Sequence, residues 1–277
     1  MKAVAADVAP TMQLAIRFSG AAIFFGVWVF IREGGAALAD GTLRSGVLLG
    51  SLFSLEFIFV GQALAHTTAA HTIVFLYAAP IFTALGLQFL PEERLHRVQW
   101  AGISVAFLGI VVAFLGRSGR STGEMVGGDL LALLGGVSWG LSNVVLRRGR
   151  IGGSTTEKTV FYQVGMAAVL LLAFAARTHQ TRVVLSPAVI LALLFQTVVI
   201  AIASYIAWFW LLRHYLTSRL MLLSFLTPIF GVALGALLLG DPIDLRFGFG
   251  ALLVLAGILV VNARQILRRS SEPSVPS

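Results

Sequence analysis

The chain contains one stretch of sequence twice. Residues 51–112 and residues 199–260 align in register without a gap when 148 is added to each number of the first copy. The matching residues are His66 with His214, Pro80-Ile81-Phe82 with Pro228-Ile229-Phe230, Glu93 with Asp241, Gly102 with Gly250, and Gly109-Ile110 with Gly257-Ile258. A fixed offset across several segments indicates an internal repeat, so the two halves of the chain must share one architecture.

The apolar character of the repeated segments places the chain in a membrane. It is 58% hydrophobic and 12% charged, with a mean hydropathy of +0.92, far above the values of soluble domains. Apolar runs of about twenty residues form helices in lipid, because only helices and closed barrels pair all their backbone groups there. Barrel strands alternate in polarity, and these runs do not. The sequence predicts an all-helical polytopic membrane protein with nine spans, at about 12–31, 45–64, 71–90, 99–116, 129–146, 159–176, 187–212, 220–239 and 247–263.

Basic residues predict the orientation of these spans. Lys and Arg concentrate in alternate loops, and the side with more of them is cytoplasmic. That side carries Arg32, Arg44, Arg94, Arg97, Arg147, Arg148, Arg150, Lys158, Arg213, Arg219, Arg264, Arg268 and Arg269. The other side carries Lys2, Arg117, Arg120, Arg177, Arg182 and Arg246. We therefore expect a protein of the cell membrane whose C-terminus is cytoplasmic. The net charge of +8 is explained by basic residues that set this orientation, and it does not indicate a surface that binds nucleic acid.

The offset also predicts a repeat of five helices whose first copy lacks its first helix. Two spans precede the second copy, at 129–146 and 159–176, whereas only the span 12–31 precedes the first. A late start site, an evolutionary truncation and a genuine nine-helix form are all open explanations. We expect a first repeat over residues 1–117, a second over residues 127–264, and a cytoplasmic tail over residues 265–277.

An odd number of helices per unit makes two tandem units cross the membrane in opposite directions. Such inverted-topology repeats give a protein two related conformations, one open to each side, with a binding site near the midplane. The repeat therefore indicates a carrier.

Several motifs resemble the EamA domain of the drug/metabolite transporter superfamily, and the resemblance covers nearly the whole chain. They are Ala63-Leu64 through Ala70, Pro80-Ile81-Phe82, Glu93, Gly102 with Gly109, Gly128-Asp129-Leu130-Leu131 with Ser138-Trp139, and Arg17-Phe18. The resemblance implies ten helices, cytoplasmic termini and export of small metabolites. The absent first helix departs from that pattern, as do the turns Pro91-Glu92-Glu93 and Gly240-Asp241-Pro242.

Glu56 is the strongest single candidate for function. It lies about ten residues, or roughly 15 Å of helix rise, from either end of its predicted span. A carboxyl there costs a few kcal/mol to insert and is expected to face the bundle interior. Its repeat partner is Ser204, so the carboxyl breaks the symmetry of the repeat. Glu56 has two possible roles. In a functional role it is a proton-coupling group or the counter-ion for a substrate amine, and in a structural role it is a hydrogen-bonded residue of the interior.

Other polar and aromatic residues at midspan are candidates to line the same cavity. Ordinary interhelical packing uses such residues as well. The resemblance favours Glu56, Tyr77, Trp139, Asn143, Tyr205, Trp208 and Thr227 as substrate-binding or coupling residues. Ser204 joins this set because its spacing lets it share a helix face with Tyr205 and Trp208.

Pro80 and Pro228 interrupt helical hydrogen bonding near midspan, so we expect kinks or gates there. Arg17 most resembles a residue that snorkels to the interface, and contact with an anionic substrate is the alternative. Gly136–Gly140 and Gly231–Gly235 permit close helix contact, within the molecule or in a homodimer.

No enzyme motif supports a catalytic role. The chain lacks a nucleophile elbow, an HExxH helix, a phosphate loop and any cysteine, and we expect no cofactor and no metal. The sequence predicts a secondary-active carrier that exports a small metabolite, amino acid or amphiphilic compound by proton- or exchange-coupled alternating access. The alternative is a non-transporting or lipid-binding membrane scaffold that arose from the same fold by loss of the first helix.

Overall fold

The described part of the chain consists mainly of α-helices. The structure, a computed structural model, describes residues 4–35, 39–89, 96–115, 122–214, 226–240 and 244–270. The helices are α1 (Pro10–Glu33), α2 (Leu43–His66), α3 (Ala69–Leu76), α4 (Ala79–Leu87), α5 (Arg97–Leu115), α6 (Thr122–Arg148), α7 (Thr156–Arg177), α8 (Pro187–Leu194), α9 (Ser204–His214), α10 (Leu226–Leu239) and α11 (Leu245–Ser270). A 3-10 turn, Arg150–Gly153, precedes α7, and π-helical turns, Phe195–Ala203, join α8 to α9.

These helices account for the predicted spans. Among the described residues, six segments are long and apolar enough to cross a membrane: Pro10–Glu33, Leu43–His66, Ala69–Leu87, Met125–Arg148, Thr156–Arg177 and Pro187–Trp208. The same part of the chain has three shorter apolar helices, at Arg97–Ala113, Ile229–Leu238 and Leu245–Val261. The prediction of an all-helical polytopic membrane protein is confirmed. The turn residues Glu93 and Asp241 lie outside the described residues.

The third span is broken where the sequence predicts a kink. Helix α3 ends at Leu76 and α4 begins at Ala79, just before Pro80. Pro80 therefore stands in the first turn of α4, where a missing backbone N–H removes no helical hydrogen bond. The start of α3 is capped by Thr68, whose side chain accepts a hydrogen bond from the His71 N–H at 3.1 Å.

The helices form two groups, each with its own hydrophobic core. Unit 1 comprises Met1–Gln62 and Leu141–Trp210, and unit 2 comprises Ala63–Gly140 and Leu211–Ser277. The core of unit 1 joins α1, α2, α7 and the π-helical turns, through residues such as Phe18, Phe25, Phe53 and Leu171. The core of unit 2 includes Phe75, Ile81, Ile110 and Phe247. Each unit draws helices from both predicted repeats, and the boundaries of the repeats themselves stay a prediction.

Within unit 2, the repeat-related helices α5 and α11 pack against each other in antiparallel directions. A Cβ added at Gly102 would lie 2.9 Å from the carbonyl oxygen of Gly257, and one added at Gly109 would lie 2.7 Å from that of Gly250. Gly102 thus faces Gly257, which is the repeat partner of Gly109, and Gly109 faces Gly250, which is the repeat partner of Gly102. This reciprocal contact is the pattern that a local two-fold axis produces.

Within unit 1, the repeat-related helices α1 and α7 are antiparallel as well. Glu33 at the end of α1 pairs with Lys158 in the first turn of α7, at 3.0 Å. Further along, Gly26 lies against the ring of Phe161. Repeat-related helices that run in opposite directions are what an inverted-topology repeat requires.

Candidate functional site

Glu56 lies inside unit 1, on the face of α2 that packs against α1. Phe53, Glu56 and Phe57 share this face, because residues three and four apart are neighbours on a helix. The rings of Phe53 and Phe57 pack on Phe18 of α1, with centroid distances of 5.5 and 4.7 Å. Glu56 is 7% exposed, and within the described part of the chain it forms no hydrogen bond or ion pair. The carboxyl is therefore buried and unpaired.

Arg17 is also buried inside unit 1, so the prediction that it snorkels to the interface is wrong. The inward stripe of α1 carries Leu14, Arg17, Phe18 and Phe25, and packing of this stripe takes Arg17 with it. Its guanidinium carbon lies 4.5 Å from the ring centroid of Phe18 and 5.3 Å from that of Phe57. Its Nε has no acceptor, and none of the described residues forms an ion pair with it.

Tyr205 belongs to a third helix of unit 1. It is the second residue of α9, and its ring packs edge-on against Phe25 of α1 at 6.1 Å. The ring of Tyr205 packs against the same core as Phe18 and Phe53. Arg17, Glu56 and Tyr205 therefore lie in one unit, and three of its helices each contribute one of them.

The π-helical turns Phe195–Ala203 lie directly before α9 and so set the position of Tyr205. They run directly into α9, and the Ser204 hydroxyl donates a hydrogen bond to the Ile200 carbonyl within them. Gly20 of α1 lets the two segments approach closely, since a Cβ there would lie 2.5 Å from the methyl group of Thr197. π-Helical turns occur frequently at functional sites. The sequence gives no sign of them, because no proline or glycine interrupts the run.

The remaining predicted site residues are distributed over both units. In unit 1, Asn143 is half-buried on α6, Ser204 is exposed, and Trp208 on α9 is 37% exposed. In unit 2, the rings of Tyr77 and Trp139 meet edge-to-face at 5.3 Å. Thr227 is exposed in the first turn of α10, followed by Pro228. Of the predicted site residues, Tyr77 and Trp139 are in contact in unit 2, and Glu56 and Tyr205 both belong to the interior of unit 1.

A buried histidine–aspartate pair in unit 2 was missed by the sequence analysis. Nδ1 of His71 lies 3.1 Å from Oδ2 of Asp129, and the Thr67 hydroxyl donates to Oδ1 of Asp129 at 2.6 Å. The His71 ring stacks on Phe247 at 4.0 Å with an interplanar angle of 5°. A search for ionisable residues at the ends of the predicted spans identifies both His71 and Asp129, because such residues are rare there.

A polar cavity of about 320 Å³ lies at one end of unit 1. Its centre is Lys158, which is buried and donates to Glu33 at 3.0 Å and to Asp40 at 2.7 Å. Hydrogen bonds from Lys158, and then from Thr42, hold the pKa of the Asp40 carboxyl well below its usual range. Arg150 also lines the cavity. The positive-inside prediction assigns this end to the cytoplasm.

Gly136, Gly140 and Gly231 belong to the glycine pairs that the sequence offers either for internal packing or for a homodimer. All three lie against other helices inside unit 2. Gly136 lies against the carbonyl oxygens of Phe75 and Leu76, and Gly140 lies against Ala79 and Phe82. Gly231 of α10 lies against Ile73 of α3. These glycines serve internal packing, and a homodimer stays a prediction.

Apolar helices of membrane-spanning length, a repeated unit and ionisable side chains kept in the interior define a polytopic helical membrane protein. The model of the EamA-like transporter family matches residues 1–115 and 126–263, and the chain belongs to this family. The resemblance seen in the sequence is confirmed.

Proteins of similar sequence have names that agree with this family assignment. The chain is 23% identical over 252 residues to an uncharacterized transporter of Archaeoglobus fulgidus, covering 90% of this chain and 86% of the relative. It is 32% identical over 196 residues to a probable amino-acid metabolite efflux pump of Salmonella typhimurium, covering 67% of this chain and 64% of the relative. A crystal structure superposes with a TM-score of 0.65 at 22% identity, over 99% of this chain and 92% of that one, which shows a shared fold.

Proposed function

We propose that the protein is a secondary-active carrier of the cytoplasmic membrane that exports small amino-bearing metabolites, amino acids among them, by alternating access. The single observation that carries the proposal is Glu56, a buried carboxyl without a partner in the described chain. Unpaired ionisable groups inside membrane helices mark substrate or ion pathways, because their insertion is costly. The Salmonella typhimurium relative, a probable amino-acid metabolite efflux pump, agrees with this substrate range.

In this mechanism, Glu56 binds the ammonium group of the substrate as its counter-ion. After release of the substrate, the same carboxyl takes up a proton or a second substrate for the return. Competition of two cations for one carboxyl couples their movements, which makes the carrier a proton antiporter or an exchanger. The antiparallel pairs α1 with α7 and α5 with α11 support alternation between two related conformations. The C-terminus is cytoplasmic in this proposal.

Efflux from proteoliposomes tests the proposal. The full chain is reconstituted, the vesicles are loaded with radiolabelled amino acids, and efflux is followed with and without an inward proton gradient. We expect saturable efflux above that of empty vesicles. Glu56→Gln is expected to lower it at least about tenfold, because the neutral amide loses a charge-assisted hydrogen bond. Glu157→Gln, a change in the first turn of α7, is the matched control and is expected to match the wild type.

Two results would overturn the proposal. One is a rate equal to that of empty vesicles for every amino acid in the panel, which is what a membrane scaffold of this fold predicts. The other is unchanged efflux in Glu56→Gln, which would remove the carboxyl from the mechanism while leaving the family assignment intact.

A further inference from the structure

We infer that Arg17 is the carboxylate-recognition residue of the carrier, and that Arg17 and Glu56 together select zwitterionic α-amino acids over the corresponding amines and acids. This inference rests on the proposed function. To the recognition of the substrate ammonium group by Glu56 it adds recognition of the substrate carboxylate by Arg17.

The first observation is the state of the Arg17 side chain. It is 9% exposed, its Nε has no acceptor, and no carboxylate of the described chain pairs with it. Its cationic face is covered by the rings of Phe18 and Phe57. These rings compensate part of the lost hydration, but an aromatic face accepts no in-plane N–H donor. The guanidinium edge therefore retains unmet hydrogen-bonding capacity, which a carboxylate satisfies with two parallel hydrogen bonds.

The second observation is that Arg17 and Glu56 are buried in the same unit on facing helices and do not pair with each other. Phe57, which follows Glu56 in the chain, packs its ring 5.3 Å from the Arg17 guanidinium carbon. A structural role for the two charges predicts a salt bridge, since an ion left alone in a protein interior is costly. Two opposite charges left unpaired in one unit instead match a ligand that carries both charges.

The third observation is the aromatic environment of the Arg17 guanidinium. Phe18, Phe53 and Phe57 pack against one another with centroid distances of 4.7 to 5.5 Å. An aromatic environment of this kind favours an amino acid with an apolar or aromatic side chain. An inorganic anion would use Arg17 alone and leave Glu56 and the aromatic rings without a function.

Three ligands that differ by one charged group test the inference. L-Phenylalanine carries both groups, phenethylamine lacks the carboxylate, and 3-phenylpropionate lacks the ammonium. Each is offered as a competitor of phenylalanine counterflow in proteoliposomes containing the full chain. We expect the wild type to prefer phenylalanine over both analogues by at least about tenfold, the effect of one charge-assisted hydrogen bond.

In Arg17→Gln, we expect the preference for phenylalanine over phenethylamine to fall by about tenfold while recognition of phenethylamine is retained. In Arg17→Lys, which keeps the charge but not the planar fork, we expect an intermediate preference. Arg32→Gln is the matched control. Arg32 stands on the same helix and also lies over an aromatic ring, that of Trp28 at 5.6 Å, but it is exposed.

The outcomes separate this inference from the proposed function. If the wild type moves none of the three compounds, both fail. If the wild type moves phenylalanine and Arg17→Gln keeps the wild-type preference, only the role of Arg17 is overturned. The role of Arg17 is equally overturned if Arg17→Gln weakens all three ligands by the same factor, which is the signature of a structural residue. Retained phenethylamine recognition in that variant shows that it is folded.

Discussion

Gly102 on α5 lies against the carbonyl group of Gly257 on α11, and each of these glycines is the repeat partner of a glycine on the opposite helix. The internal repeat of the sequence therefore appears in the structure as a contact between two repeat-related helices. Two helices with related sequences meet through their related glycines, and they meet in opposite directions.

Replacement of Gly257 by alanine is expected to destabilise the protein. The new Cβ would lie 2.5 Å from the carbonyl oxygen of Gly102 and 2.6 Å from the backbone nitrogen of Ala106. Because backbone atoms cannot rotate away, the helices must separate, at a cost of about 1–3 kcal/mol. Thermal unfolding in detergent measures the change.

Gly165→Ala is the control for this substitution. Gly165 lies within α7, and a Cβ there would meet no atom within 4 Å. Alanine is also the better helix former, by roughly 0.5–1 kcal/mol. We expect unchanged or slightly raised stability. Equal stability of Gly257→Ala and the wild type would contradict the close packing of α5 against α11.

Removal of the Asp129 carboxylate is expected to be more costly than removal of the Thr67 hydroxyl. Asp129→Ala leaves both the Thr67 hydroxyl and the His71 ring without their carboxylate partner inside unit 2. The loss of one member of a buried pair typically costs about 3–5 kcal/mol. Thr67→Val deletes one hydrogen bond to a charged group, worth about 1.5–3 kcal/mol. The same unfolding measurement ranks the two variants, and the reverse order would mean that Asp129 is not the centre of the network.

The sequence predicts the helices because helix formation in a membrane depends on local composition. Each run of about twenty apolar residues must satisfy its own backbone, and the structure places helices on those runs. Pro80 likewise marks a break, since proline is tolerated in the first turn of a helix but not in its interior, so a helix begins just before it. Both are properties of a segment by itself.

The environment of Arg17 depends instead on which face of α1 meets α2. From the sequence, an arginine some residues inside a span fits the snorkelling pattern equally well. Only the contact between Phe18 and Phe57 shows that the stripe containing Arg17 is internal. The histidine–aspartate pair is similar, because His71 and Asp129 are 58 residues apart in the chain and only tertiary packing joins them.

The predicted orientation is testable because the chain contains no cysteine. A single cysteine at Gly153, an exposed position with no atom near an added Cβ, is expected to react with a membrane-impermeant maleimide only after the cytoplasmic side is opened. A single cysteine at Thr181, exposed between α7 and α8, is expected to react in intact cells. The reverse labelling pattern would invert the topology that the positive-inside rule predicts.

The cluster around Lys158 predicts a specific dependence of stability on pH. The pKa of the Asp40 carboxyl is lowered by hydrogen bonds from Lys158 and Thr42. A lowered carboxyl pKa stabilises the folded state above the unfolded pKa, and this contribution is lost as the pH falls through the folded pKa. The melting temperature of Asp40→Asn is therefore expected to lie below that of the wild type by a constant amount between about pH 8 and pH 5. The difference is expected to shrink below about pH 4, because the Asp40 carboxylate of the unfolded wild type then takes up a proton while that of the folded state does not.

Asp7→Asn is the control for this measurement. Asp7 lies in unit 1 before α1, and its carboxylate makes no hydrogen bond within the described chain. Its replacement is expected to leave the melting temperature unchanged throughout. A difference between Asp40→Asn and the wild type that stays constant from pH 8 to pH 3 would show that Asp40 acts through the shape of the turn and not through its charge. In that case, Lys158 would be held by Glu33 alone, and the end of α1 would depend on a single ion pair with α7.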